Sequence, residues 1–274
     1  MPKFQRIYWL EDFNWKEYAS LYNAYCQTKQ NYYQQTAEAL LSAIRISQDA
    51  QIVDAGAGTG ALTSELMRRM PHAKIFAIDL SSEMLHYYKK RFKKQIAKRQ
   101  IKVIQGNVEN INKYVRNSVD IIFVASALWD IELSPFFKNA RKILRPNGKI
   151  VFNLPALVLG ETKGFIGFIE KSVRKEMPGK QLYRRIILAE LTKIFRQNSY
   201  TLEKQKHFRF TMSKSNVAKF FKVLRYRYPF ILFPKKLSYK ERFKLCTKIF
   251  NTALKKMPSK GISEEGYVFV IGKA

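Results

Sequence analysis

The segment Ile52-Val53-Asp54-Ala55-Gly56-Ala57-Gly58-Thr59-Gly60-Ala61 takes an apolar run into an acid and then alternates three glycines with small residues. Leu62-Thr63-Ser64-Glu65-Leu66-Met67 follows as a helix opener. This order predicts a buried strand, a glycine turn and a helix start. Glycine lets the backbone adopt positive φ and lets a ligand approach it closely. The helix N-terminus behind the turn offers N–H groups and the positive end of a dipole. An ordinary turn of this kind needs one glycine, so three of them point to a bound ligand.

Downstream of this segment the pattern repeats. Strands are expected at 51–55, 74–79, 101–105, 120–125 and 149–154, and helices at about 60–70, 82–97, 109–115 and 133–145. That alternation implies βαβ units and a parallel sheet. Ile121-Ile122-Phe123-Val124-Ala125 is apolar throughout, as expected of a strand covered on both faces. Arg145-Pro146-Asn147-Gly148 reads as a turn ahead of the strand beginning at Lys149. Upstream, residues 8–45 read as helical, with Trp15, Tyr18, Tyr22 and Tyr25 on one face and a second helix starting at Asn31-Tyr32-Tyr33. After Pro155 the pattern is mainly helical over 164–198, with a break at Pro178-Gly179. A strand is expected at 201–212. A helical block over 213–257 is interrupted at Tyr228–Pro234, and the strand 266–271 closes the chain.

At 274 residues and 46% hydrophobic content the chain can build a sizeable core. No run of about 18 apolar residues is present, and the first residues lack a signal-peptide core, so a cytoplasmic protein is expected. Cys26 and Cys246 lie far apart and suggest neither a metal cluster nor a disulfide framework. The net charge is +29. Residues 1–134 hold 18 Lys/Arg against 13 Asp/Glu, and residues 135–274 hold 32 against 8. The excess on the second half suits an anionic partner, whether RNA, an acidic carrier protein or a membrane surface, or else simply a solvated lysine-rich face.

Gly56, Gly58 and Ala61 also fit a dinucleotide loop, with Asp79 at the distance of a ribose-binding acid. Asp54, two residues before the first glycine, and the tighter Gly56-x-Gly58-x-Gly60 spacing speak against that assignment. The sequence instead resembles class I S-adenosylmethionine-dependent methyltransferases. Val53–Gly60 looks like the first motif of that family, Ile75–Leu85 the second, and Gly106-Asn107-Val108-Glu109 its G-D-x-E with Asn for Asp. Asp120–Trp129 resembles the fourth strand and its catalytic-side loop, Leu144–Lys149 the turn before the fifth strand, and Tyr18–Asn23 the cap motif Y-A-x-x-Y-D.

The resemblance implies an α/β, Rossmann-like sheet, mostly parallel, of seven strands with an antiparallel last strand, helices on both faces and a helical lid. It implies one domain over 1–274, with cap helices at 1–45, a cofactor half at 46–155 and a substrate half at 156–274. It implies S-adenosylmethionine as cofactor, held by Tyr18, Tyr22, Asp54, Ala55, Gly56, Gly58, Gly60, Asp79, Leu80, Met84, Asn107, Val108 and Ser126. Trp15, Trp129 and Asn153 are expected to face substrate, and His207 and Trp129 are the catalytic candidates. No metal is expected. The expected reaction is in-line methyl transfer to a small organic acceptor, apolar or carrier-bound. An RNA methyltransferase using the basic half and a non-catalytic scaffold are the alternatives.

Overall fold

The computed structural model describes residues 13–116, 118–159, 161, 164–176, 188–232 and 237–274. The chain opens with α1 (Trp15–Cys26) and α2 (Tyr32–Leu41), then β1 (Gln51–Ala55), α3 (Ala61–Arg69) and β2 (Lys74–Asp79). Next come α4 (Ser82–Arg91), α5 (Lys93–Ala97), β3 (Ile101–Gln105), α6 (Ile111–Tyr114) and β4 (Val119–Val124). They are followed by α7 (Leu133–Ile143), β5 (Leu144–Pro155), α8 (Gly164–Glu176), α9 (Leu188–Gln197) and β6 (Tyr200–Met212). α10 (Lys214–Leu232), α11 (Tyr239–Lys256) and β7 (Ile262–Lys273) complete the chain. Two compact units result. A sheet unit holds Tyr33–Leu154, Leu188–His207 and Tyr267–Ala274, and a helical unit holds the chain up to Tyr32, Pro155–Ile187 and Phe208–Gly266.

The seven-stranded sheet has the order β3-β2-β1-β4-β5-β7-β6. β1 to β5 pair in parallel, and the last strands run antiparallel. Ile52, Val53, Ile78, Ile122, Phe123, Val151 and Phe152 are fully buried, which is why these strands are continuously apolar. α7 covers one face because Phe136, Phe137, Ala140 and Ile143 recur at helical spacing and are all buried. The Tyr200 hydroxyl donates to the Phe137 carbonyl at 3.0 Å and ties β6 to that helix.

Three local expectations need correction. Residues 145–148 do not form a turn before β5; they lie inside it, and the pairing jumps from Val119↔Leu144 to Ile121↔Lys149. The Pro-Asn-Gly signal is therefore spent on a bulge, one of the positions where a strand tolerates proline. The helix expected over 82–97 divides at Phe92 into α4 and α5. The break expected at Tyr228–Pro234 is absent as far as Leu232, because α10 runs through Pro229. Tyr228 beside it is fully buried, its ring edge-on to Phe250 of α11 at 5.5 Å. A proline inside a helix costs about 3 kcal/mol, and burying large side chains at about 1.5–3 kcal/mol each offsets it.

Within the helical unit, Tyr25 stacks on Phe220 at 4.8 Å, Phe220 on Tyr32 at 5.1 Å, and Phe221 on Phe250 at 4.7 Å. α11 starts in a Ser238–Glu241 capping box. α8 is started differently. Glu264 of β7, only 1% exposed, accepts from the Ile166 amide at 3.0 Å, and Gly164 takes φ +79° beside it. Burial pushes the Glu264 carboxyl up to about 8. No helix of the described residues is long and apolar enough to cross a membrane.

Candidate functional site

The site lies in the sheet unit, at the carboxyl ends of β1 and β2, the edge where open α/β sheets take ligands. β1 ends in Asp54 and Ala55, and the loop 56–60 turns into α3. Gly56, Gly58 and Gly60 take φ +77°, +54° and +91°. A Cβ on Gly56 would fall 2.8 Å from the Ala127 Cβ, and one on Gly60 would fall 2.3 Å from the Phe92 ring. Two of the glycines are thus required by packing, and all three by their positive φ. No side chain caps the N-terminus of α3.

Two carboxylates frame this loop. Asp79 at the end of β2 accepts from the Gly58 amide at 2.7 Å and the Ser81 amide at 2.9 Å. Burial raises its carboxyl above the usual aspartate range despite those bonds. Asp54 is 1% exposed, and its Oδ2 accepts from the Thr63 hydroxyl at 2.7 Å. Thr63 in turn accepts from the buried Tyr88 hydroxyl at 2.9 Å. Asp54 Oδ1 and the Thr59 hydroxyl are buried with no protein partner. Burial is the largest influence on Asp54, opposed by Thr63 and reinforced by the charge of Asp79, and its carboxyl rises to about 7. A buried, unpartnered acceptor beside an uncapped helix N-terminus suits a ligand that carries both an ammonium and a carboxylate.

The remaining expected residues distribute as follows. Leu80 and the buried Met84 sit at the β2–α4 turn, where Ser81 caps α4 through the Met84 amide. Asn107 accepts from the Glu109 amide at 2.9 Å and so starts a short 3-10 turn at Val108, immediately past β3. Ser126, past β4, is held at φ +52° by Asn153, which is fully buried. The Asn153 side-chain oxygen accepts from the Ser126 amide at 2.7 Å, and its amide reaches the Ser126 hydroxyl at 3.3 Å. Asn153 thus spends its amide on shaping the β4 loop that meets Gly56. Trp129 is half-buried in the 3-10 turn Leu128–Asp130.

Of the other expected residues, one lies far along the sheet from this loop and three belong to the helical unit. His207 lies on β6, the sheet's edge strand, four strand spacings or about 19 Å across from β1. Its ring packs against Tyr267 at 5.2 Å. A histidine signal alone could not reveal that the chain carries it to the far edge. Trp15, Tyr18 and Tyr22 belong to α1 in the helical unit, where Trp15 and Tyr18 pack with Phe13 and Tyr18 with Tyr22. Conversely, Thr59, Thr63, Tyr88 and Phe92 shape the site without having been singled out. Their signal was a polar group on an otherwise apolar helix face for Thr63 and Tyr88; Phe92 gave none.

Comparison with known proteins agrees with this geometry. Residues 53–152 match the family model described as "Methyltransferase domain". Over 137 residues the chain is 30% identical to malonyl-[acyl-carrier protein] O-methyltransferase of Priestia megaterium, covering 50% of this chain and 47% of that protein. It is 31% identical over 120 residues to demethylmenaquinone methyltransferase of Thermotoga maritima, covering 43% and 48%. The chain therefore spans about half the length of these curated relatives. A solved S-adenosylmethionine-dependent methyltransferase from Geobacter sulfurreducens, in complex with S-adenosyl-L-homocysteine, shares the fold with a TM-score of 0.56. That match has 15% identity and covers 93% of this chain and 98% of the other. Residues 53–152 thus match a methyltransferase domain, and the chain shares its fold with solved S-adenosylmethionine-dependent methyltransferases.

The titration of Asp54 makes a measurable claim. A folded carboxyl near 7 keeps its proton between about pH 4 and 7, where the unfolded chain has lost it. Its contribution to stability therefore falls as pH rises through that window. A ligand ammonium favours the ionised form. Affinity for S-adenosylhomocysteine is expected to rise about eightfold between pH 6 and 7.5, with uptake of the ligand releasing a proton. Calorimetric titration in buffers of different ionisation enthalpy measures both, and Asp54→Asn should flatten the profile. Binding without proton release would place Asp54 away from the ammonium.

Proposed function

We propose that the protein transfers the methyl group of S-adenosylmethionine to a small organic acceptor presented on an acidic carrier protein. The observation that carries the methyl-transfer reading is the buried, unpartnered oxygen of Asp54 at the glycine loop that leads into the uncapped N-terminus of α3. Asp54 and the N-terminus of α3 would hold the amino-acid end of the donor. Asp79 would accept from the ribose, and Leu80, Met84, Asn107 and Val108 would line the base. The bound donor supplies a methyl group on a cationic sulfur. The protein's own part is to align acceptor and methyl and to exclude water, because displacement at a sulfonium needs no general base once the acceptor is ionised. Ser126 and Trp129, on the loop shaped by Asn153, would face the acceptor.

The carrier reading is supported by the charge and by the names of the relatives. Residues 135–274 carry 32 Lys/Arg against 8 Asp/Glu, and two relatives are named for an acyl-carrier-protein substrate. The test uses radiolabelled S-adenosylmethionine with malonyl-acyl carrier protein, a carrier-free malonyl thioester and bulk tRNA. Label on the carrier protein, with the free thioester slower, is the expected result. Label on tRNA, lost as salt rises from about 50 to 200 mM, would replace this reading with RNA methylation.

A further inference from the structure

The half-chain charges conceal a local concentration. From Met84 to Val108 there is no Asp or Glu, while Lys89, Lys90, Arg91, Lys93, Lys94, Lys98, Arg99 and Lys102 all fall within that stretch. In the structure it forms the end of α4, α5 and β3, all inside the sheet unit. Lysines at a helix C-terminus complement its dipole, which accounts for Lys89, Lys90 and Arg91. An edge strand is also commonly blunted by a lysine, which accounts for Lys102 on β3. Lys94 and Lys98 stand at the C-terminal end of α5 and share the first reason, whereas neither reason covers Lys93 and Arg99.

Lys93 and Arg99, with Lys89 and Lys102, line a cleft of about 610 Å³ together with Ile96, Ile101 and Val103. The rim is cationic, the floor is apolar, and no acid is among the described residues that line it. Ile96 and Val103 remain half-exposed there. Arg99 holds φ +58°, a conformation that a helix end usually assigns to glycine or asparagine, so a long cation stands where a small residue is the ordinary choice. A merely solvated face gives no reason for an apolar floor. A flat bilayer does not fill a concave cleft, and no aromatic ring lines it to stack a base.

We infer that the α4–α5–β3 cleft docks the acidic carrier protein, taking an apolar side chain on its floor and acidic groups on its rim. This inference rests on the carrier reading above. β3 runs from the cleft to Asn107, so one strand links the docking face to the edge that holds the candidate cofactor residues. The partner is a protein helix or loop rich in Asp and Glu, recognised through charge complementarity around a small apolar contact.

The experiment uses the full chain and holo-acyl carrier protein as probe. Hydrogen exchange with and without the carrier is expected to show protection across residues 93–105. The exposed double reversal Lys93→Glu with Lys102→Glu is expected to weaken carrier binding at least tenfold by fluorescence anisotropy, leaving S-adenosylhomocysteine affinity unchanged. Carrier binding with protection elsewhere, and no effect of the reversal, would overturn this docking face and leave the carrier reading intact. No carrier binding by the unaltered protein, together with turnover of a carrier-free thioester, would overturn both. Binding of phosphatidylglycerol vesicles or tRNA that the reversal abolishes, with carrier binding untouched, would assign the cleft to those partners instead.

Discussion

Asp79→Ala is expected to weaken S-adenosylhomocysteine binding by about 1.5–3 kcal/mol, roughly 10- to 150-fold, with little change in thermal stability. Two opposing effects set the second half of that expectation. The carboxyl is buried and shifted upward, so its charge is unfavourable in the folded protein relative to the unfolded chain. Removing it relieves that cost but leaves the Gly58 and Ser81 amides without their acceptor. The two nearly cancel in stability. They do not cancel in binding, where the ribose loses a charged acceptor and the glycine loop loses its tether to β2. Calorimetric titration and a thermal scan on the same variant separate the outcomes. Lost stability with unchanged affinity would make Asp79 part of the frame and not of the site.

Gly60→Ala is expected to act mainly on the fold. At φ +91° a side chain is strained, and its Cβ would fall 2.3 Å from Phe92 and 3.0 Å from Tyr88. Strain of about 1–3 kcal/mol and overpacking of about 1–3 kcal/mol add to about 2–6 kcal/mol of destabilisation. That corresponds to a melting-temperature loss of roughly 5–15 °C. Phe92→Leu makes room, so the same Gly60→Ala change in that background should cost at least about 1 kcal/mol less. If the cost is identical in both backgrounds, the ring contact is not what requires glycine at position 60.

How far the sequence could be read depended on whether the signal was local. Strand β1, the glycine loop and helix α3 lie consecutively, so their apolar run, glycines and helix opener could be recognised together. The strands β2, β3 and β4 were legible for the same reason, each being a short apolar segment whose two faces are covered. The bulge at 145–148 was not legible, because turn residues read alike whether the chain reverses or merely kinks. Pro229 misled in the same way: its local cost is real, yet the packing of Tyr228 on Phe250 across two helices outweighs it. In the site, Asp54 and Asp79 could be found from position alone. The Thr63–Tyr88 relay could not, since its members come together only through the packing of α3 against α4. His207 shows the converse, a plausible side chain that strand order carries away from the loop. The cationic cleft was hidden by arithmetic, the eight basic residues of the stretch that forms it being diluted within the acids of the first half.

Glu264 has a consequence for the timing of folding. The amide it holds at the start of α8 lies 98 positions earlier in the chain. A ribosome adding about 5–20 residues per second makes that interval roughly 5–20 s. Throughout it, α8 has emerged while the acceptor from β7 does not yet exist. The first turn of α8 therefore stays open to fraying until the closing strand is made, and the helical unit acquires its final cooperativity late. The same contact closes a long loop, which slows folding more than it weakens the product.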